Sequence, residues 1–460
     1  MRFNIFRTAA VLLLLFTLKT FGQNTTLYDL YGPNSMEINP AHKLRDRSTY
    51  FTLPVLNYTD FQFTTGRLNY NDITSTEDGK TVVDTEKIHR KLDRKNTIGL
   101  FTEIGLLGVG IKNNKDYYSI QIKEKALGHI RFGNGVTDLI LNGTSTVDIN
   151  GVVSRFNNIN TGEIDLNMLH YREIALGYDR IINDKFTIGI RGKILFGMAG
   201  IETNGVSLRT QSKDLSSIEI YTAGQINVSA PIDFTMATDS NGDEYIEDLD
   251  TNFDQDYFSN FDNLGFGLDI GIEYQHNEEW LFGLSVIDLG VIGFKNNTQI
   301  YQQSHYSFKG VDISNSVNDN QPGYKELEDQ SDALMDEIEQ AFRIKKKADK
   351  FNMTLPTKIY ITSSYTPEKW FTAGFLSKYE SFNDFSETLV QLSGTIRSNV
   401  FELTSNYSWS NTSGSQVGLG LSVKAGIVHF YAATDNIIAY SNPKNGSFAS
   451  IRLGLNFILD

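Results

Sequence analysis

Apolar and polar side chains alternate along most of this chain with the two-residue period of a β-strand, in long segments separated by turn-forming residues. The last segment is the clearest. Ala449, Ile451, Leu453, Leu455, Phe457 and Leu459 fall on one face. Ser450, Arg452, Gly454, Asn456 and Asp460 fall on the other, with Ile458 as the exception. The same pattern places Phe186, Ile188, Ile190, Ile194 and Phe196 opposite Thr187, Gly189, Arg191 and Lys193. Leu264, Phe266, Leu268, Ile270, Ile272 and Tyr274 oppose Gly265, Gly267, Asp269, Gly271 and Glu273. Phe401, Leu403, Tyr407 and Trp409 oppose Glu402, Thr404, Asn406 and Ser408, and Val417 to Val423 repeats the alternation. Segment 279–293 does not resolve into two faces.

Strands are expected at 49–57, 97–112, 116–124, 169–182, 185–199, 263–276, 279–293, 357–366, 369–379, 387–397, 400–409, 416–424, 427–434 and 448–459. Tight turns are expected at Asn113-Asn114-Lys115, Asn183-Asp184, Asn277-Glu278, Pro367-Glu368, Ser398-Asn399 and Ala425-Gly426, where Asn, Asp, Gly and Pro supply hairpin backbone angles. They alternate with longer connections near 58–96, 125–168, 201–262, 295–356, 380–386, 410–415 and 436–447. This rhythm predicts an all-β transmembrane antiparallel barrel of about fourteen strands, with short periplasmic turns and long extracellular loops. A secreted sandwich would also alternate, but its strands are usually shorter and its apolar face turns inward. Two insertions read as helical: Asp84 to Arg94, and the amphipathic Tyr324 to Lys347.

The start of the chain agrees with export. Arg2 and Arg7 precede an apolar stretch, Ala9 to Leu18, too short to span a membrane as a helix. Thr20-Phe21-Gly22 then offers a cleavage site. The expected division is a signal peptide at 1–22, a periplasmic or lumenal segment at 23–48, and a barrel at 49–460. The expected location is the outer membrane of a Gram-negative bacterium. With no cysteine in the chain, lipoprotein anchoring, disulfides, thiol catalysis and thiolate metal sites are all excluded. A net charge of −14 speaks against a nucleic-acid partner. The 38 Gly, 22 Tyr and 30 Phe suit tight turns and interfacial girdles.

Several segments together resemble a known group. They are Asn39-Pro40-Ala41, Tyr50 to Leu56, Glu173 to Tyr178, Ile182 to Gly189, Lys193 to Gly197, Asp288-Leu289-Gly290, Leu355-Pro356-Thr357-Lys358 and Thr434-Asp435-Asn436-Ile437. In this order they resemble the PorP/SprF-like and PorV-like outer-membrane proteins of bacteria with gliding motility and type IX secretion, relatives of the long-chain fatty-acid transporter barrel. The chain looks closest to a branch with longer external loops. The resemblance implies a non-enzymatic envelope component linked to type IX secretion, gliding or surface-protein attachment, with a secreted or surface protein as partner. The alternative it implies is a transport barrel for a small hydrophobic substrate. It also implies that the Asn39-Pro40-Ala41 segment packs inside the lumen, as a gate or a fixed plug. Arg452, Gly454, Phe457 and Leu459 resemble the terminal signal read by the outer-membrane assembly machinery.

Candidate chemistry lies on the polar faces. Glu173, Arg191, Lys193, Asp269, Glu273, Lys358, Glu402, Lys424 and Arg452 are expected to line the lumen, either as a polar path or as a salt-bridge network. The Asn183-Asp184 hairpin should bring Glu173 beside Arg191 and Lys193. The loop 239–250 has calcium-like spacing: Asp239, Asn241, Asp243, the Tyr245 carbonyl, Glu247 and Asp250 would supply oxygens. Glu244 stands where such loops need Gly. No other cofactor is expected. Neither metalloprotease histidine spacing nor a Gly-x-Ser-x-Gly elbow occurs.

Overall fold

The computed structural model describes residues 26, 30, 32–42, 49–54, 57–66, 68–77, 80–92, 96–136, 138, 145–147, 153–156, 158–212, 218–238, 244–251, 255–258, 260–295, 298–308, 345–348, 350–383 and 385–459. The expected signal peptide lies outside these residues, as do Asp239, Asn241 and Asp243.

Among the described residues the wall is a closed antiparallel barrel of fourteen strands, two of them broken. In chain order they are β1 (Thr49–Thr52 and Thr59–Thr64), β2 (Asn96–Asn113), β3 (Asp116–Phe132), β4 (Asn160–Ile181) and β5 (Phe186–Ser212). There follow β6 (Asn263–Gln275), β7 (Trp280–Phe294), β8 (Phe351–Thr354 and Thr357–Glu368), β9 (Phe371–Phe382) and β10 (Phe385–Arg397). The wall ends with β11 (Phe401–Ser410), β12 (Gly414–Ala425), β13 (Val428–Thr434) and β14 (Phe448–Leu459). Both pieces of β1 pair with β2 on one side and β14 on the other, which closes the cylinder. Within the wall itself, closure leaves no free edge.

The exterior is what the alternation predicts. Phe186, Ile188, Ile190 and Ile194 are exposed on the outside of β5, and Thr187, Arg191 and Lys193 are buried inside. Leu264, Phe266, Ile270 and Ile272 continue this belt on β6, as do Phe401, Leu403, Tyr407 and Trp409 on β11. So large a contiguous apolar exterior is stable only in lipid, and this is the surface of an outer-membrane barrel. An aromatic girdle marks its periplasmic edge: Phe186 packs on Tyr274 at 4.9 Å and Trp280 on Tyr365 at 4.7 Å. Ten residues higher on β5, about 25 Å along the barrel axis, Phe196 meets Phe261 edge-on at 5.0 Å. At that upper level the outer wall carries charge: Glu124 receives Arg172 at 2.7 Å and His170 at 3.0 Å, beneath Tyr257.

Several expectations shift. The first strand is not continuous over 49–57. The chain leaves the wall after Thr52, makes a detour, and rejoins as Thr59–Thr64, part of what reads as a loop. Leu53 and Pro54 point out and Asn57 and Tyr58 tuck in, the latter held by a hydrogen bond from the Gly105 amide to the Tyr58 carbonyl (2.8 Å). β3, β4 and β5 run far past their expected ends. Above the lipid the outer face needs no apolar residues, so the alternation that reveals a strand fades while the backbone pairing continues. The turn expected at Pro367-Glu368 falls at Lys369-Trp370. Helix Thr85–Lys91 forms within the expected 84–94 stretch, capped by the Asp84 carboxylate accepting from the Lys87 amide (2.8 Å). Most of Tyr324 to Lys347 lies outside the described residues, and its last three residues belong to strand Lys345–Ala348.

Ile458 and strand β7 also find their reasons. Ile458 points inward and packs with Met36, Tyr50 and Tyr117. On β7, Trp280, Phe282 and Leu284 face out, then the register slips and Leu289 and Val291 face out instead. The slip falls at Ile287 and Asp288, and Asp288 takes a positive φ of 59°. One inserted residue reverses the phase of the alternation, so no single assignment fits the strand.

Candidate functional site

The lumen is filled in three layers. Lowest lies the N-terminal segment. Gly189, Gly271 and Gly283 sit on the inner faces of β5, β6 and β7, and Gly189 and Gly271 are direct register partners. A Cβ on Gly189 would come within 2.4 Å of the Pro40 backbone, and one on Gly271 within 2.0 Å of the Asn39 side chain. The missing side chains therefore form a slot that receives Asn39-Pro40-Ala41. Asn39 Nδ2 donates to the Ile272 carbonyl at 3.2 Å, and its Oδ1 accepts from the Ala41 amide at 2.9 Å. Ser285 donates to the Ile38 carbonyl, and His42 lies 2.6 Å from Glu273. Farther along, Leu30 packs against Tyr58, Tyr431 and Ala433, and the Thr26 hydroxyl bonds Asp435.

Above the slot lies an ionic layer. Its carboxylates are Glu37, Glu103, Glu173, Asp269 and Asp288; its cations are Lys123, Lys125, Arg191, Lys193 and Lys358. The two sets balance, five against five, in a region where an uncompensated charge would be costly. Lys123 bridges Glu37 (2.6 Å) and Glu103 (2.8 Å). Lys125 reaches Glu173 (3.0 Å), and Lys193 reaches Asp269 (2.8 Å) and Asp288 (2.5 Å). Lys358 also ends on Asp288, at 2.9 Å. Arg191 spans Asp269 (3.2 Å) and Glu37 (3.3 Å) and donates to the Met36 carbonyl (3.0 Å). The ionic layer therefore also grips the N-terminal segment. Glu37 lies outside the wall strands. Burial alone would push its carboxyl up, but the charges of Lys123 and Arg191 outweigh burial and hold it well below the usual glutamate value.

The third layer is apolar. Phe101, Leu127, Leu169, Tyr171, Leu195, Ile292, Phe294, Phe351, Met353, Leu355, Phe382 and Phe385 point inward from strands β2 to β10 and form one buried cluster. Phe294 and Phe351 stack at 5.0 Å. Wide barrels ordinarily have polar interiors, so an apolar layer across the lumen is the feature that calls for a function.

The residues anticipated from sequence are distributed among these layers. Glu173, Lys193, Arg191, Asp269 and Lys358 meet in the ionic layer. Glu173 lies 3.5 Å from Lys193, but Arg191 engages Glu37 and Asp269 instead of Glu173. Glu273 takes His42. Arg452 forms a separate buried group with Asp60 (3.1 Å) and Asp435. Glu402 pairs with Arg397 at 2.9 Å, and Lys424 is half-buried beside a periplasmic turn. Gly454 faces the β1 detour, where a Cβ would fall 2.3 Å from the Asn57 carbonyl oxygen. Phe457 stacks on Phe51 across the seam at 4.8 Å, and Leu459 faces lipid. Of the calcium-like loop, Tyr245, Glu247 and Asp250 lie on strand Glu244–Thr251, which pairs with Ile232–Thr238; its other three ligands lie outside the described residues. Among the described residues no cluster of three metal-ligating side chains occurs.

Glu37, Glu103, Lys123, Lys125 and Asp288 are members that sequence reasoning passes over. Alternation on β2 and β3 points to Glu103, Lys123 and Lys125, each two residues from an inward neighbour. Asp288 is hidden by the phase reversal, and nothing in the sequence marks Glu37.

No curated protein matches the sequence. Among solved structures, the Pseudomonas putida toluene transporter TodX is similar over 96% of this chain and 98% of its own, with 7% identity and a TM-score of 0.42. A Pseudomonas aeruginosa FadL homologue is similar over 96% and 100%, with 9% identity and a TM-score of 0.43. The Ralstonia pickettii toluene transporter TbuX covers 96% and 99%, with 10% identity and a TM-score of 0.40. Residues 40–435 match a family described as of unknown function, DUF5723, and the chain belongs to that family.

Proposed function

We propose that this barrel passes a small hydrophobic molecule across the outer membrane. The observation that carries the reading is the apolar layer inside the lumen, above a charge-balanced ionic layer and a seated N-terminal segment. Aromatic and aliphatic side chains gathered in one buried cluster inside the lumen are the groups that an apolar ligand would contact. Of the two roles implied by resemblance, this geometry favours the transport alternative. A part in type IX secretion, gliding or attachment of a surface protein rests on the resemblance alone.

The test is binding and uptake of a panel of uncharged aromatic and aliphatic compounds. Purified protein in detergent should bind at least one of them, and uptake should fall in cells lacking the gene. Phe294→Ala removes one ring of the stacked pair, worth about 0.5–1.5 kcal/mol beyond its buried area, and should weaken binding about tenfold. If no compound binds and deletion leaves uptake unchanged, the proposal fails.

A further inference from the structure

We propose that the tip of the β9–β10 hairpin is a lid over the apolar layer, latched by Asn383. This rests on the apolar layer being where a ligand sits. The wall is uneven: β4 and β5 have 22 and 27 residues, whereas β9 and β10 have 12 and 13. The short hairpin is overtopped by the tall strands. It ends in a tight turn, with Phe382 the register partner of Phe385 and Asn383 at a φ of 48°.

The tip does not stay in the plane of the wall. Phe382 and Phe385 belong to the apolar layer. Their rings lie 5.4 and 5.5 Å from the ring of His129 on β3. Asn383 Nδ2 donates to Asn167 Oδ1 on β4 and to Glu202 Oε1 on β5 (3.1 Å), and its Oδ1 accepts from Thr354 on β8 (3.2 Å). Asn167 in turn donates to His129 Nε2 at 3.2 Å. One turn thus reaches its neighbour β8 and, across the lumen, β4 and β5.

The nature of the bonds matters as much as their direction. Neighbouring wall strands are held by backbone ladders. In the described pairings β9 and β10 pair only with β8, β11 and each other. What holds the tip to β3, β4 and β5 is side chain to side chain, so it can be released without unzipping the wall.

The chain has no cysteine, so a single introduced thiol reports access cleanly. Met353→Cys places one in the apolar layer, with Leu127→Cys as the second choice if the first fails to fold. The rate of labelling by a membrane-impermeant maleimide is measured in intact cells, with and without Asn383→Gly. Glycine keeps the positive φ and removes only the latching amide. The expected result is labelling at least fivefold faster with Asn383→Gly. Equal rates would overturn the lid. Uptake is measured on the same strains. Faster labelling with no uptake in any strain would leave the lid standing and defeat the transport reading; uptake with equal labelling would do the reverse.

Discussion

Single residues decide whether the lumen can be filled. Gly189 is the sharpest case, because its absent side chain is the space occupied by Pro40 and Ala41. Gly189→Leu should expel the Asn39-Pro40-Ala41 turn from its slot. Overpacking of this kind costs about 1–3 kcal/mol. The lower stability would be read as an earlier midpoint in the urea unfolding of the detergent-solubilised barrel. An unchanged midpoint, with the N-terminal segment still resistant to protease, would show that the slot does not hold it. Asp288 illustrates the opposite economy. It accepts a backbone angle that non-glycine residues seldom adopt, and in return its carboxylate reaches Lys193 and Lys358.

At the scale of elements, the N-terminal segment is tied to the wall through Glu37. Its folded-state pKa is depressed, so the stabilisation it contributes is complete above the ordinary glutamate value of 4.5 and is lost as pH falls below it. Protease sensitivity of the segment should therefore rise on acidification below about pH 4.5. Glu37→Gln should be more sensitive at neutral pH and flatten the dependence around Glu37. A profile identical in both proteins would contradict this coupling. Most wall strands are legible in the sequence because lipid and water impose opposite chemistry on alternate residues, as on β5, β6, β11 and β14. Legibility ends where that contrast ends. The β1 detour carries apolar Leu53 outward and polar Asn57 inward without the even spacing of a strand. On β7 the bulge reverses the faces midway. The apolar layer is legible only in part: Leu195 lies in phase with inward-facing Arg191 and Lys193, whereas Ile292 lies beyond the β7 bulge and Met353 before the break in β8, where the alternation cannot be carried through. Only the neighbouring strands reveal which way these last two face.

The whole molecule is built to be tight. The charges of the ionic layer are matched in number, and the Asn39-Pro40-Ala41 turn fills the slot beneath. In planar bilayers the full-length barrel should show conductance far below that of an open porin. Removing the lumenal segment through residue 42 should raise it severalfold. Steady porin-like currents from the intact protein would refute the filled lumen. The manner of filling also constrains how the protein comes to exist. Met36 rests against Tyr50 and Ile458, which belong to the two strands that meet at the seam. A cylinder cannot be loaded from the side once its first and last strands have joined. The leading segment must therefore enter before the ends of the chain are stitched together, or afterwards through an end of the cylinder. Bulky tags placed ahead of it would then stall biogenesis, whereas the same tags in the external loops would be carried to the cell surface.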